Sequence, residues 1–189
     1  GIEYTERMGG LRAFACELAG TFSLTLAGAG AVCMDAATNG RLGPLGVALS
    51  YAAAMTAAYY AFPGAVCRFN PALTLADLAA RRTPPLRGVF ALAAQLLGAT
   101  CAGLFLSAVL RAGKPELLGS PVYLGSCATN GIGYRAATLI EAVITFFLAC
   151  TVAASALRRR RAFGPLAAGA AALFGGLAAG PRPGGAMNP

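Results

Sequence analysis

Phe69-Asn70-Pro71-Ala72-Leu73-Thr74-Leu75-Ala76-Asp77-Leu78-Ala79-Ala80 reads as a helix that starts abruptly and stops early. Asparagine is a favoured N-cap, because its side-chain oxygen accepts from the first unpaired N–H groups. Proline suits the first helical position, where its missing N–H is not needed. The amphipathic stretch from Asn70 to about Ala80 is too short to cross a hydrocarbon core of about 30 Å. A helix that begins inside a bilayer must be sheltered by protein or line a cavity, since lipid cannot satisfy its backbone. The dipeptide recurs at the last two positions, Asn188-Pro189. One Asn-Pro is a weak signal, whereas two in matching places of a duplicated chain decide the architecture.

Composition places the chain in a membrane. Of 189 residues, 57% are hydrophobic and only 12% charged, too few to coat a soluble domain of this size. Apolar runs predict spans over roughly Leu11 to Met34, Gly43 to Phe62, Leu86 to Leu110, Ala136 to Leu157 and Ala162 to Ala179. That is five spans and one half-span. The net charge of +8 comes from residues set between these runs, so it reads as a topology signal rather than a nucleic-acid surface. With the N-terminus inside, ten basic residues (Arg7, Arg12, Arg68, Arg81, Arg82, Arg87 and Arg158 to Arg161) fall on the inner side. Five (Arg41, Arg111, Lys114, Arg135 and Arg182) fall outside, which favours that orientation.

An internal repeat ties the two Asn-Pro sites together. Glu17-x-x-x-Thr21-Phe22-x-Leu24 matches Glu141-x-x-x-Thr145-Phe146-x-Leu148. Gly43-Pro44-Leu45 and Gly164-Pro165-Leu166 open the next span in each half, and Asn-Pro follows 53 residues after Glu17 and 47 after Glu141. Three spans separate the two glutamates, so the halves enter from opposite sides and form an inverted repeat, about 11–110 and about 134–189. The binding site of such a fold is expected near the midplane. Two helix N-termini meeting there place positive potential at the centre, which repels cations and protons while Asn70 and Asn188 offer amide donors.

Glu17 and Glu141 are the acidic residues within the spans, where carboxylates demand partners. Their symmetric placement favours a structural role, accepting from backbone N–H groups of the loop before each half-helix. Ion coupling in a secondary transporter is the alternative. An enzyme ranks below both. The chain has no His, its six Cys form no CxxC pair, and no metal-ligand cluster stands out, so no catalytic residue, metal or cofactor is expected.

These residues resemble the aquaporin, or major intrinsic protein, family across essentially the whole chain. Glu17 to Thr21-Phe22 is similar to its first-span motif and Phe69 to Thr74 to its first signature loop. Ala94-Gln95-Leu96-Leu97-Gly98-Ala99 resembles its third span, and Gly184-Gly185-Ala186-Met187-Asn188-Pro189 the approach to its second signature. The resemblance implies an all-α membrane protein of six spans and two re-entrant half-helices, with a pore in each protomer of a homotetramer embedded in lipid. About 40 residues separate Asn70 from Leu110, so a similar length is expected beyond Pro189, and the chain ending there is expected not to conduct alone.

By the same resemblance, the pore centre comprises Asn70, Pro71, Ala72, Asn188 and Pro189. The carbonyls of Val66, Cys67, Arg68, Gly184, Gly185 and Ala186 form an acceptor ladder. Tyr51 (or Ser50), Gly176 and Gly185 occupy selectivity positions, and the fourth, usually Arg, would fall at 191. Two glycines beside one aromatic imply a wide, aquaglyceroporin-like mouth, of a bacterial type, passing water and small neutral solutes such as glycerol, urea or metalloid hydroxides. Arg68 stands where the family usually has His, either charging the inner vestibule or reaching to the cytoplasm. Cys67 would flank the pore as a thiol-sensitive position.

Overall fold

The computed structural model describes residues 10–62, 67–118, 122–127, 131–157, 161–180 and 184–189. Six α-helices carry the fold: α1 (Gly10–Ala37), α2 (Gly43–Ala61), α3 (Pro71–Ala79), α4 (Pro85–Gly113), α5 (Tyr134–Leu157) and α6 (Gly164–Ala179). No strand occurs among the described residues. The expectation of an all-helical membrane fold is met, with each element close to its expected bounds.

Local chemistry sets the helix starts. Pro44 and Pro165 lie in the first turns of α2 and α6, as the repeated Gly-Pro-Leu implied. Asp35 at the end of α1 accepts from the Gly43 N–H at 2.7 Å, so one carboxylate closes the turn into α2. Helix α3 has nine residues, roughly 14 Å at 1.5 Å per residue, about half of a hydrocarbon core.

Among the described residues, three helices are long and apolar enough to span a membrane: α1, α4 and the 134–155 part of α5. The five-span expectation is therefore met unevenly. Helix α6 has 16 residues and is rich in Gly and Ala, while α2 has 19 but carries Ser50, Thr56 and three tyrosines. Both helices give up hydropathy to pack closely on each other. A Cβ on Gly169 would lie 2.8 Å from the Ala52 carbonyl, and one on Gly176 would lie 3.0 Å from Ala48 Cβ. Small residues at such crossings let backbones approach where lipid gives no hydrophobic drive.

Helix α1 packs on α2 and α4, α2 on α6, and α6 on α5, while α3 is wedged against α4 and α5. At the α1–α4 crossing, a Cβ on Gly98 would strike the Leu18 carbonyl oxygen. The main core draws on both halves: Leu24, Met55, Phe69 and Leu73 meet Ile144, Leu148, Ala172 and Met187. Leu96, Leu104, Phe105, Leu139, Phe146 and Phe147 point outward, an arrangement costly in water and favourable in lipid.

Candidate functional site

The site grows from two loops that the helices hold from behind. In the first, Asn70 adopts extended backbone (φ −154°, ψ 116°) and its Oδ1 accepts from Ala72 N–H at 2.9 Å and Leu73 N–H at 3.4 Å. It is the N-cap that the sequence predicted, with Pro71 behind it. Glu17 of α1, only 2% exposed, accepts from Arg68 N–H and Phe69 N–H, each at 2.8 Å, and from Gln95 Nε2 at 2.9 Å. Gln95 also donates to Thr74 Oγ1 at 2.8 Å, which ties α4 to the half-helix.

The second loop repeats this on its own side. Glu141 Oε2 accepts from Met187 N–H at 3.0 Å, the counterpart of the Glu17 bond to Phe69. Its other oxygen is buried without a partner among the described residues. Backbone geometry carries the symmetry further. Phe69 and Met187, the residues before each Asn, both sit in the left-handed region, at φ 54° and 51°. Such a conformation costs a non-glycine residue about 1–3 kcal/mol and persists only when its surroundings fix it. Both side chains are fully buried, Phe69 over Gly20 and Met187 over Gly175.

The two loops then interlock. Asn70 Nδ2 donates to the Met187 carbonyl at 2.6 Å, and Asn188 Nδ2 donates to the Phe69 carbonyl at 3.0 Å. Each amide thus spends one N–H on the loop of the other half. An amide nitrogen carries two hydrogens, so each retains a second donor.

Tyr51 lies on α2 with its ring 3.2 Å from where a Gly28 Cβ would stand. Its hydroxyl is buried beside the Asn188 amide and has no hydrogen-bond partner among the described residues. Ser50 instead donates to the Ala27 carbonyl at 3.1 Å, tying α2 to α1. Gly176 and Gly185 are adjacent: a Cβ on Gly185 would sit 3.1 Å from Gly176 Cα and 2.8 Å from the Gly175 carbonyl oxygen. With φ 59°, Gly185 has a backbone that favours glycine. A side chain at Gly176 would be aimed at Ala48 of α2.

Val66 lies outside the described residues, as do Arg7, Arg158 to Arg160 and Arg182 of the charge count. Cys67, expected to flank the pore as a thiol-sensitive position, is buried at 2% exposure. Arg68 does not extend freely towards water, which was one of its two expected states. Its Nε meets Asp77 Oδ2 of α3 at 2.5 Å, and its carbonyl accepts from the Tyr59 hydroxyl at 3.2 Å. The residues that sequence reasoning missed are Tyr59, Asp77 and Met187. Their bonds join segments with no local sequence signal, although an acid nearly two helical turns into a half-helix that follows a loop arginine is a hint.

Apolar helices around two interlocked, carboxylate-held loops define an integral membrane protein with a polar centre. The family model for major intrinsic proteins matches residues 4–189, and the chain belongs to that family. It is 36% identical to the aquaporin NIP1-1 of Oryza sativa subsp. japonica over 179 residues, covering 92% of this chain and 59% of that relative. It is also 36% identical to the aquaporin TIP4-4 of Zea mays over 193 residues, covering 96% of this chain and 73% of the relative. The chain thus spans less than two thirds of the rice relative's length. The X-ray structure of the aquaglyceroporin from Plasmodium falciparum superposes with a TM-score of 0.80, at 21% identity, over 95% of this chain and 77% of the other. That likeness concerns the fold.

Proposed function

We propose that the whole protein is a passive transmembrane channel for water and small uncharged solutes (glycerol, urea or metalloid hydroxides) that excludes ions and protons. The crossed bonds of Asn70 and Asn188 carry this reading. They fix two amide donors at the junction of the two loops, each with one N–H left for a passing oxygen. The α3 N-terminus contributes a partial positive charge at the same place, which disfavours cations. Carbonyls of Cys67, Arg68, Gly184, Gly185 and Ala186 supply acceptors along the path, with Val66 assigned by sequence alone. The Tyr51 hydroxyl, without a partner among the described residues, lies beside the Asn188 amide.

In this reading residues 11–110 and 134–189 are the two halves of the repeat, Gly176 and Gly185 keep the mouth wide, and the N-terminus faces the cytoplasm from a cell or plasma membrane. Lipid surrounds a homotetramer. Proton coupling through Glu17 or Glu141 finds no support, because three N–H donors already engage the Glu17 carboxylate and Glu141 holds the Met187 N–H. Stopped-flow light scattering of proteoliposomes tests the proposal. Water and glycerol permeability should both exceed that of empty vesicles, with no concentrative uptake. Water flux without glycerol flux would remove the wide-mouth part of the reading, and absence of both would remove the channel.

A further inference from the structure

Arg68 is held from three elements at once. Glu17 of α1 takes its N–H, Tyr59 of α2 donates to its carbonyl, and Asp77 of α3 binds its Nε. Both side chains of the ion pair are nearly buried, at 13% and 12% exposure. Among the described residues, the guanidinium makes no other hydrogen bond, so its terminal N–H groups remain free. Arg68 also lines a cavity of about 270 Å³, together with Asp77, Arg82, Leu73, Val152 and the outward-facing Phe146. Two guanidiniums against one carboxylate give its wall a net positive charge.

Resting on the channel reading above, we propose that Arg68 sets charge selectivity at this end of the pathway and that Asp77 is its positioning residue. A long basic side chain near a membrane surface ordinarily extends toward water. Asp77 prevents that and fixes the charge in register with the half-helix that Asn70 starts. The free N–H groups then favour neutral, oxygen-rich solutes and repel cations. Removing Arg68 alone neutralises the wall, because Arg82 then stands one to one against the Asp77 carboxylate. The pair therefore acts as a unit, and the local positive charge falls or rises depending on which member remains.

Proteoliposomes of the protein test this, with sodium leak and nitrate entry each measured relative to glycerol flux in the same vesicles. Arg68→Gln should raise the sodium ratio by roughly tenfold. The double variant Arg68→Gln/Asp77→Asn should return it towards wild type, and Asp77→Asn alone should raise the nitrate ratio. Equal sodium leak in Arg68→Gln and the double variant would overturn the proposal, since loosened packing rather than charge would then be the cause. Unchanged ratios in all variants would overturn it while leaving the channel standing. Absence of glycerol flux in the wild type would remove the channel reading itself and the proposal with it. Should Arg68→Gln fail to fold, Asp77→Asn decides: an unchanged nitrate ratio overturns the assignment.

Discussion

Asn70 and Asn188 each donate an amide N–H to the carbonyl that precedes the other, at 2.6 Å to Met187 and 3.0 Å to Phe69. The residues they bridge share a left-handed backbone, so the crossing fixes two strained positions together. Asn70 has a second duty, because its Oδ1 caps α3. Asn70→Ala loses the cap and orphans a buried carbonyl, at about 2–4 kcal/mol, while Asn188→Ala orphans one carbonyl at about 1–3 kcal/mol. Chemical unfolding in detergent should therefore rank Asn70→Ala as the more damaging. Equal losses would mean that the cap contributes nothing.

The two buried glutamates should not be equivalent. Glu17 satisfies three donors, whereas Glu141 satisfies one among the described residues. Each orphaned buried donor costs about 1–3 kcal/mol. Glu17→Ala is expected to lose about 3 kcal/mol or more and Glu141→Ala about 1–3 kcal/mol, read from unfolding midpoints. Proton-driven uptake that disappears in Glu17→Gln would instead restore the coupled-transporter reading.

Two glycines on α4 should respond in opposite ways. A methyl group at Gly98 has nowhere to go, because the Leu18 and Phe22 backbone occupies its place, while at Gly103 nothing lies within 4 Å. Gly98→Ala should cost about 1–3 kcal/mol or more by forcing α1 and α4 apart. Gly103→Ala should be neutral, or stabilising by up to about 1 kcal/mol through helix propensity. Thermal unfolding in detergent distinguishes them, and similar midpoints would show that the crossing is loose.

At the mouth, Gly176→Ala needs only a small adjustment of Ala48, which a Cβ would meet at 3.0 Å. Gly185→Ala combines φ 59° with contacts to the Gly175 carbonyl oxygen and Gly180 N–H at 2.8 and 2.9 Å. The second should lose about 1–3 kcal/mol more than the first. Thermal midpoints that fail to separate the two variants would show that the loop backbone relaxes freely.

Thiol labelling should report the loops differently. Cys127, between α4 and α5, is exposed, and its Sγ is 2.6 Å from where a Gly184 Cβ would stand. Cys67 is buried. A water-soluble maleimide should modify Cys127 well before Cys67, as peptide mapping by mass spectrometry would show. Faster labelling of Cys67 would mean that the first loop opens in solution.

The membrane class, the repeat, the helix starts at Pro44, Pro71 and Pro165, and the structural glutamates were all legible in the sequence. Each depends on local chemistry: apolar run length, a cap and its proline, or a carboxylate that must find donors. Contacts between distant segments were not legible. The Asn bonds join residues 117 and 119 positions apart, and Phe69 and Met187 share a backbone state without sharing side-chain chemistry. The sequence left Arg68 either charging a vestibule or reaching for water, and Asp77 on the half-helix decided between them. Nothing in composition or periodicity records which carbonyl an amide will meet. That was decided when α1, α2 and α6 packed through small residues and brought the two loops within hydrogen-bond reach.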